Sequence, residues 1–138
     1  MGSTPPPPSD AVPALSGRSR RGQAADRRGR NAEDAARLAL ERDGWSILAR
    51  RLRTSAGEID MVAEKDGLLA IVEVKARPRL ADAAASLSDR QQARLISATE
   101  IVLANNPDWG AQGVRFDLLL VDAAGAVRRI ADAFRGNG

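Results

Sequence analysis

The dipeptide Asp66-Gly67 separates two runs of strand composition, Glu58 to Glu64 (EIDMVAE) and Leu68 to Lys75 (LLAIVEVK). Asp-Gly strongly favours a two-residue type I′ turn, whose two central residues both need positive φ. With Asp66 and Gly67 as the whole loop, Lys65 pairs with Leu68, and each step away from the turn adds one pair. Asp60 then falls opposite Glu73, and Glu58 opposite Lys75. Directly opposed residues share a face. Glu58, Asp60, Glu73 and Lys75 therefore form one patch at the open end of the hairpin. Val62 with Ile71 and Glu64 with Leu69 continue that face towards the turn. The other face carries Ile59, Met61 and Ala63 against Val74, Val72 and Ala70, a core surface.

A Glu58–Lys75 pair alone would be an ordinary cross-strand ion pair, worth a few tenths of a kcal/mol. Asp60 opposite Glu73 does not fit that account. At ~5 Å and an effective dielectric of ~20, two carboxylates repel by roughly 3 kcal/mol. A shared proton, a neighbouring cation or a bound metal must offset this. Leu68 to Val74 is apolar on both faces, so it reads as an internal strand in which Glu73 and Lys75 are out of place.

The remaining chain supplies helices and further strands. Asn31 to Asp43 (NAEDAARLALERD) predicts a helix stopped by Gly44, with Glu33 and Asp34 in a first turn that favours acids. Trp45 to Leu52 predicts a strand, and Thr54 to Gly57 a turn. Pro78 ends the strand that closes at Lys75. Ala81 to Leu87 reads as a linker. Ser88-x-x-Gln91 is a capping box opening a helix that runs to about Asn105, before Asn106-Pro107. Val114 to Val121 and Val127 to Ile130 predict two last strands. The order points to a mixed sheet with helices packed on both faces, a three-layer α/β single domain.

Composition narrows the chemistry. His, Cys and Tyr are absent. This excludes histidine bases, thiol nucleophiles, disulfides and zinc held by His or Cys. An all-oxygen donor set selects a hard cation, Mg²⁺ or Mn²⁺. A lysine two residues beyond a metal-binding Glu shares its face, where it can hold a water or offset charge on a phosphate. Phosphodiester hydrolysis suits that set of groups.

Asp60, then twelve residues, then Glu73-Val74-Lys75 resembles the D-(x)n-[D/E]-x-K motif of the restriction-endonuclease-like nucleases. Around it, in order, stand Glu33 in an Ala-rich helix, Gly44-Trp45, Gly57-Glu58-Ile59-Asp60, Val72-Glu73-Val74-Lys75-Ala76-Arg77, Arg90-Gln91, Arg115-Phe116-Asp117 and Ala133-Phe134. Together, from about Gly29 to Phe134, these resemble the YraN family of small bacterial proteins, assigned to that superfamily. The resemblance implies a restriction-endonuclease-like mixed β-sheet flanked by helices, with Asp60 and Glu73 as metal ligands and Lys75 beside them. Glu33 matches the helix glutamate of related Holliday-junction resolvases, and Gln91 a helix position that often carries Gln or Lys. For Glu33 the competing role is a first-turn dipole partner, and for Gln91 the capping box. Arg115 and Asp117 read as a structural ion pair. Pro78 and the Ala/Asp run after it depart from the family pattern, so substrate preference does not carry over closely. The implied activity is metal-dependent DNA endonuclease, on branched or structured DNA, and the analogy suggests a homodimer.

Charge is unevenly placed. Residues 1–30 hold six Arg and two Asp, while residues 31–138 hold 15 bases and 16 acids. The Pro- and Arg-rich stretch 1–28, with Pro5 to Pro8, reads as a disordered arm, and 29–138 as the domain. Arg18, Arg20, Arg21, Arg27, Arg28 and Arg30, with Arg50, Arg51, Arg53, Arg77 and Arg79, are the candidates for phosphate contact. The alternative to an enzyme is a non-catalytic nucleic-acid-binding module that uses this arm. No apolar run approaches a membrane span, and Met1 to Ala14 lacks the apolar core of a secretory signal, so a cytoplasmic protein without membrane contact is expected.

Overall fold

A computed structural model describes residues 17–77 and 87–134, with side-chain surroundings from Arg30 onward. The elements run α1 (Gly17–Arg42), β1 (Ser46–Thr54), β2 (Gly57–Lys65), β3 (Leu68–Ala76), α2 (Asp89–Asn105), β4 (Val114–Val121) and β5 (Val127–Phe134). The sheet has five strands in sequence order, β1-β2-β3-β4-β5. All neighbours are antiparallel except β3 and β4, which are parallel and joined through α2. The chain is therefore an α/β domain with a mixed sheet, and β3 is its central strand. Of the expected linker Ala81 to Leu87, residues 81–86 lie outside the described residues, as do Pro78, Arg79, Pro5 to Pro8 and the arm's start.

Three layers follow from two apolar stripes on the sheet. Ala36 and Leu40 of α1 pack on Met61, Ala63, Ala70, Val72 and Leu119. Leu95, Ala98 and Val102 of α2 pack on the opposite face, against Ile59, Val62, Leu69, Ile71 and Phe116. The α1 residues lie four apart and the α2 residues three and four apart, which keeps one face of each helix to the sheet. No helix among the described residues is long and apolar enough to cross a membrane.

Local signals place the ends. Asp66 and Gly67 have φ of 53° and 82°, as a type I′ turn requires, and Lys65 pairs with Leu68. Gly44 (φ 93°) ends α1 in a Schellman arrangement, with Gly44 N–H donating to Glu41 O at 3.0 Å and Trp45 N–H to Leu40 O at 3.0 Å. Leu40 and Trp45 then join the same core. At α2 the expected capping box is formed: Gln91 N–H donates to Ser88 Oγ at 3.1 Å, and Ser88 N–H to Gln91 Oε1 at 3.0 Å.

The structure departs from expectation in three places. Helix α1 starts at Gly17, not Asn31, so helical backbone runs through residues that the sequence assigns to an irregular arm. The Arg, Gln and Ala of that stretch are good helix formers despite three glycines. Glu33 and Asp34 consequently lie mid-helix, and their role as first-turn dipole partners is lost. Strand β5 continues past Ile130 to Phe134, whose ring stacks on Phe116 at 4.6 Å. Third, Ile59 does not share a face with Met61 and Ala63; it packs with Val62 on the α2 side. The alternation slips at Asp60. Beside it in β1, between the pairs Arg50–Met61 and Leu52–Ile59, Arg51 has a left-handed backbone with φ 51°. Such a conformation is costly for a non-glycine residue and collects at functional sites.

Candidate functional site

The β2–β3 ladder follows the expected register from Lys65–Leu68 as far as Met61–Val72. At the next step Val74 N–H donates to the Asp60 side chain, at 2.9 Å from Oδ2. A carboxylate thus stands in for a rung of the ladder; both strands continue, but their pairing stops at Met61–Val72 and a cleft opens beside Asp60. The cleft, about 340 Å³, is lined by Asp60 and Glu73 from the sheet, Gly57 and Glu58 at the start of β2, and Gln91 and Arg94 from α2. The expected carboxylate pair and Gln91 are brought together here.

Asp60 is half-buried and Glu73 is 15% exposed. Burial, then repulsion from Glu73, pushes the Asp60 carboxyl up from 3.8 to about 7, with a smaller push from Glu33. The Val74 N–H works in the opposite direction, since it favours the charged form. Lys75 Nζ lies 3.1 Å from Glu73 Oε2, the pair being 18% and 15% exposed. The expected Glu58–Lys75 pairing is therefore replaced. Lys75 turns to the acid two residues before it on the same strand face, and Glu58 faces Arg53 at 3.6 Å across β1.

Glu33 comes from α1, 13% exposed, and binds Arg51 Nε at 2.8 Å. Its hydrogen bond and charge hold the Arg51 guanidinium more firmly protonated, with Glu58 and Asp60 adding to the effect. Gln91 spends its carbonyl oxygen on the Ser88 cap while lining the cleft, so its amide N–H groups are what it can offer there. Among the described residues no group of three or more carboxylates is gathered closely enough to enclose a metal without further ligands. The arrangement is two adjacent carboxylates with an ammonium against one of them.

The candidate phosphate-binding arginines of β1 are already engaged. Arg50 binds Asp34 at 2.7 Å, Arg51 binds Glu33, and Arg53 faces Glu58. Arg77 donates to the Ala76 carbonyl at 2.9 Å. The side chains of Arg18, Arg20, Arg21, Arg27 and Arg28 lie outside the described residues. Arg94, which lines the cleft, was not singled out by the sequence. Its signal was present: it stands three residues after Gln91, one turn along the same helix face.

A larger cleft of about 410 Å³ opens between α1 and the ends of β3 and β4, beside Ala76, Val121 and Ala123. Among the described residues its one lining carboxylate, Asp122, accepts from the N–H groups of Ala124 and Ala126 at 2.9 Å each. That cleft offers no comparable chemistry.

Asp117 shows the opposite treatment of a carboxylate. Its side chain is wholly buried, and Oδ2 accepts from Arg129 Nη2 at 2.7 Å and Nε at 3.0 Å. Arg115 Nη2 adds a bond of 3.2 Å; its Nε is 3.0 Å from Oδ1 but poorly aligned for hydrogen bonding. The backbone N–H of Asp132 completes the set at 2.9 Å. Both guanidinium groups lie over the Trp45 ring, at 5.3 Å for Arg115 and 4.7 Å for Arg129. The expected Arg115–Asp117 ion pair is present, within a larger structural cluster.

A single α/β domain with a half-buried acid pair beside a lysine thus defines the molecule. The sequence profile of the Uncharacterised protein family UPF0102 matches residues 32–121, and the chain belongs to that family, the YraN family. A UPF0102 protein of Granulibacter bethesdensis is 64% identical over 115 residues, covering 83% of this chain and 73% of the relative. One from Azorhizobium caulinodans is 48% identical over 133 residues, covering 96% and 98%. Another, from Acidiphilium cryptum, is 45% identical over 113 residues, covering 82% and 88%.

Proposed function

We propose that the chain is a metal-dependent endonuclease of the restriction-endonuclease-like superfamily, hydrolysing DNA phosphodiester bonds at the Asp60–Glu73 cleft. The observation that carries this reading is the pair itself. Two carboxylates are pressed together in a half-buried cleft, and Asp60 is driven up to about 7 rather than relieved by an arginine. Folds retain such repulsion where a cation or a proton is to be handled.

The donor set fits Mg²⁺ or Mn²⁺. Mg²⁺ is commonly held by one or two carboxylates, the rest of its shell being water and substrate oxygens. Asp60 and Glu73 would hold it, and when bound it supplies Lewis-acid activation of water and phosphate. The chain's own residues do the rest. Val74 N–H fixes one oxygen of Asp60, and Lys75 fixes Glu73. The remaining N–H donors of Lys75 can position the attacking water or meet the negative charge that builds on phosphorus. Gln91, anchored through its oxygen, presents N–H donors to the same space. Glu33 and Arg51 bound the site on the α1 side. Cutting both strands of a duplex takes two such sites, so a homodimer belongs to this reading.

The test is cleavage of labelled linear and branched DNA in Mg²⁺, Mn²⁺ or EDTA. Cleavage should need the metal and vanish in Glu73→Ala. A Glu73→Ala protein that cuts as fast as wild type overturns the assignment.

A further inference from the structure

We propose that Arg94 is the residue that grips the phosphodiester as it enters the Asp60–Glu73 cleft. This rests on the nuclease reading above and assigns a substrate-binding role to a residue of the same site.

An anionic backbone approaching this cleft meets Asp60 and Glu73, with Glu58 and Glu33 close by. A divalent cation offsets two of those charges. The phosphate's own charge then needs a cation that is not already committed. Lys75 is held by Glu73, Arg51 by Glu33, Arg50 by Asp34, and Arg53 by Glu58. Arg94 lines the cleft, is exposed, and forms no ion pair with any described acid. It is the cation at the cleft that the described fold leaves available.

Its stem is also positioned. A Cβ built on Gly57 would stand 2.9 Å from Arg94 Cγ and 3.0 Å from Cδ. The bare backbone of Gly57, at φ 143°, therefore provides the surface on which the Arg94 stem lies. A guanidinium laid along that surface, one helical turn from Gln91, has its planar fork free to meet two phosphate oxygens. Ordering the stem in advance reduces the side-chain entropy lost on binding.

The experiment compares full-length wild type, Arg94→Ala and Arg94→Lys by three measurements. These are anisotropy of a fluorescent DNA duplex and four-way junction in Mg²⁺ at several salt concentrations, cleavage kinetics, and the thermal midpoint with and without Mg²⁺. Arg94→Ala should weaken binding about tenfold, the scale of one charge-assisted hydrogen bond. It should also lower the salt slope by about 1, the signature of one lost phosphate contact. KM should rise more than kcat falls, and Arg94→Lys should recover much of the affinity. The Mg²⁺-induced rise in midpoint should be the same in all three proteins, because Arg94 does not hold the metal. Arg94→Ala with wild-type affinity, salt slope and KM, and an intact Mg²⁺ shift, overturns the role of Arg94 alone. Loss of the Mg²⁺ shift in Arg94→Ala also overturns it, by showing that Arg94 supports the acid pair instead. A wild-type midpoint unmoved by Mg²⁺ overturns the nuclease reading and this inference with it.

Discussion

Asp117 and Asp60 are both carboxylates on inner strands of one sheet, yet the fold treats them in opposite ways. Asp117 is sealed from solvent with two arginines, a backbone N–H and a tryptophan face around it. Asp60, on β2, receives one backbone N–H and faces a second acid. The arginine nearest it in β1, Arg51, is turned to Glu33. The difference separates a carboxylate packed among cations from one left against a second acid, as the proposed metal site requires. Where a buried anion only has to be stable, cations are packed against it. At Asp60 the neighbouring cation of β1 is instead held by Glu33.

The largest expected effect breaks the Asp117 side of this comparison. Asp117→Asn keeps the shape but leaves Arg115 and Arg129 without their acid beside Trp45. Removing one partner from a buried ionic cluster costs about 3–5 kcal/mol. The midpoint of thermal unfolding should fall by about 10 °C or more. The same change at Asp60 should act in the other direction. Asp60→Asn removes one member of a repelling pair, so without metal the variant should be as stable as wild type or more so. A strongly destabilised Asp60→Asn would make the two sites equivalent and remove the distinction.

The second effect is on metal and activity. Excess Mg²⁺ or Mn²⁺ should raise the wild-type midpoint by mass action, by about 2.7 kcal/mol of stability at a hundred times Kd. It should leave Asp60→Asn and Asp117→Asn differently placed: the first unmoved, the second still responsive from its lower starting point. DNA cleavage should fall by more than the 10–100-fold that loss of a metal ligand's supporting partner costs. Differential scanning fluorimetry and a gel assay on the same preparations read both.

How much of this was legible beforehand depends on distance along the chain. Asp66-Gly67 fixed the β2–β3 register through Met61–Val72, and Ser88 with Gln91 marked the start of α2, because each signal is complete within a few residues. The proximity of Asp60 to Glu73 followed from that register. The kink at Asp60 did not, since it depends on β1 supplying Arg51 with a left-handed backbone. For the same reason the hairpin pattern alone places Ile59 on the other face and sets Lys75 opposite Glu58 rather than against Glu73. Arg129 and the Asp132 N–H join Asp117 from β5, and nothing local announces them. Arg94 became visible once α2 was laid over the open end of the hairpin and Gly57 appeared beneath its stem.

The third prediction concerns pH in the absence of divalent metal. The folded protein holds the Asp60 proton up to about 7, whereas the unfolded chain gives it up near 3.8. Between those values the native state binds more protons than the unfolded state, so this group's contribution to stability falls as pH rises and is flat above about 7. The fall should be about 4 kcal/mol over that whole interval, of which about 3 kcal/mol lies above pH 5. Urea unfolding from pH 5 to pH 8 should show the decline in wild type and not in Asp60→Asn. A decline of equal size in both would assign it to another group.

The smallest effects belong to the arginines of β1, which resemble the Asp117 cluster in pairing but not in setting. Arg53 and Glu58 are 3.6 Å apart with side chains 88% and 45% exposed, and Arg50 and Asp34 are 2.7 Å apart at 38% and 53%. Water screens both pairs, and holding long side chains in one geometry offsets most of the attraction. Arg53→Ala and Arg50→Ala should each change stability by no more than about 0.5 kcal/mol. A double-mutant cycle on Arg50 and Asp34 should give a coupling of a few tenths of a kcal/mol that shrinks as salt is raised. The same cycle on Arg129 and Asp117 should give several times that value and resist salt, because the Asp117 side chain is wholly buried. If the two couplings prove equal, burial is not what distinguishes the structural carboxylate, and the contrast with Asp60 must rest on the number of cations alone.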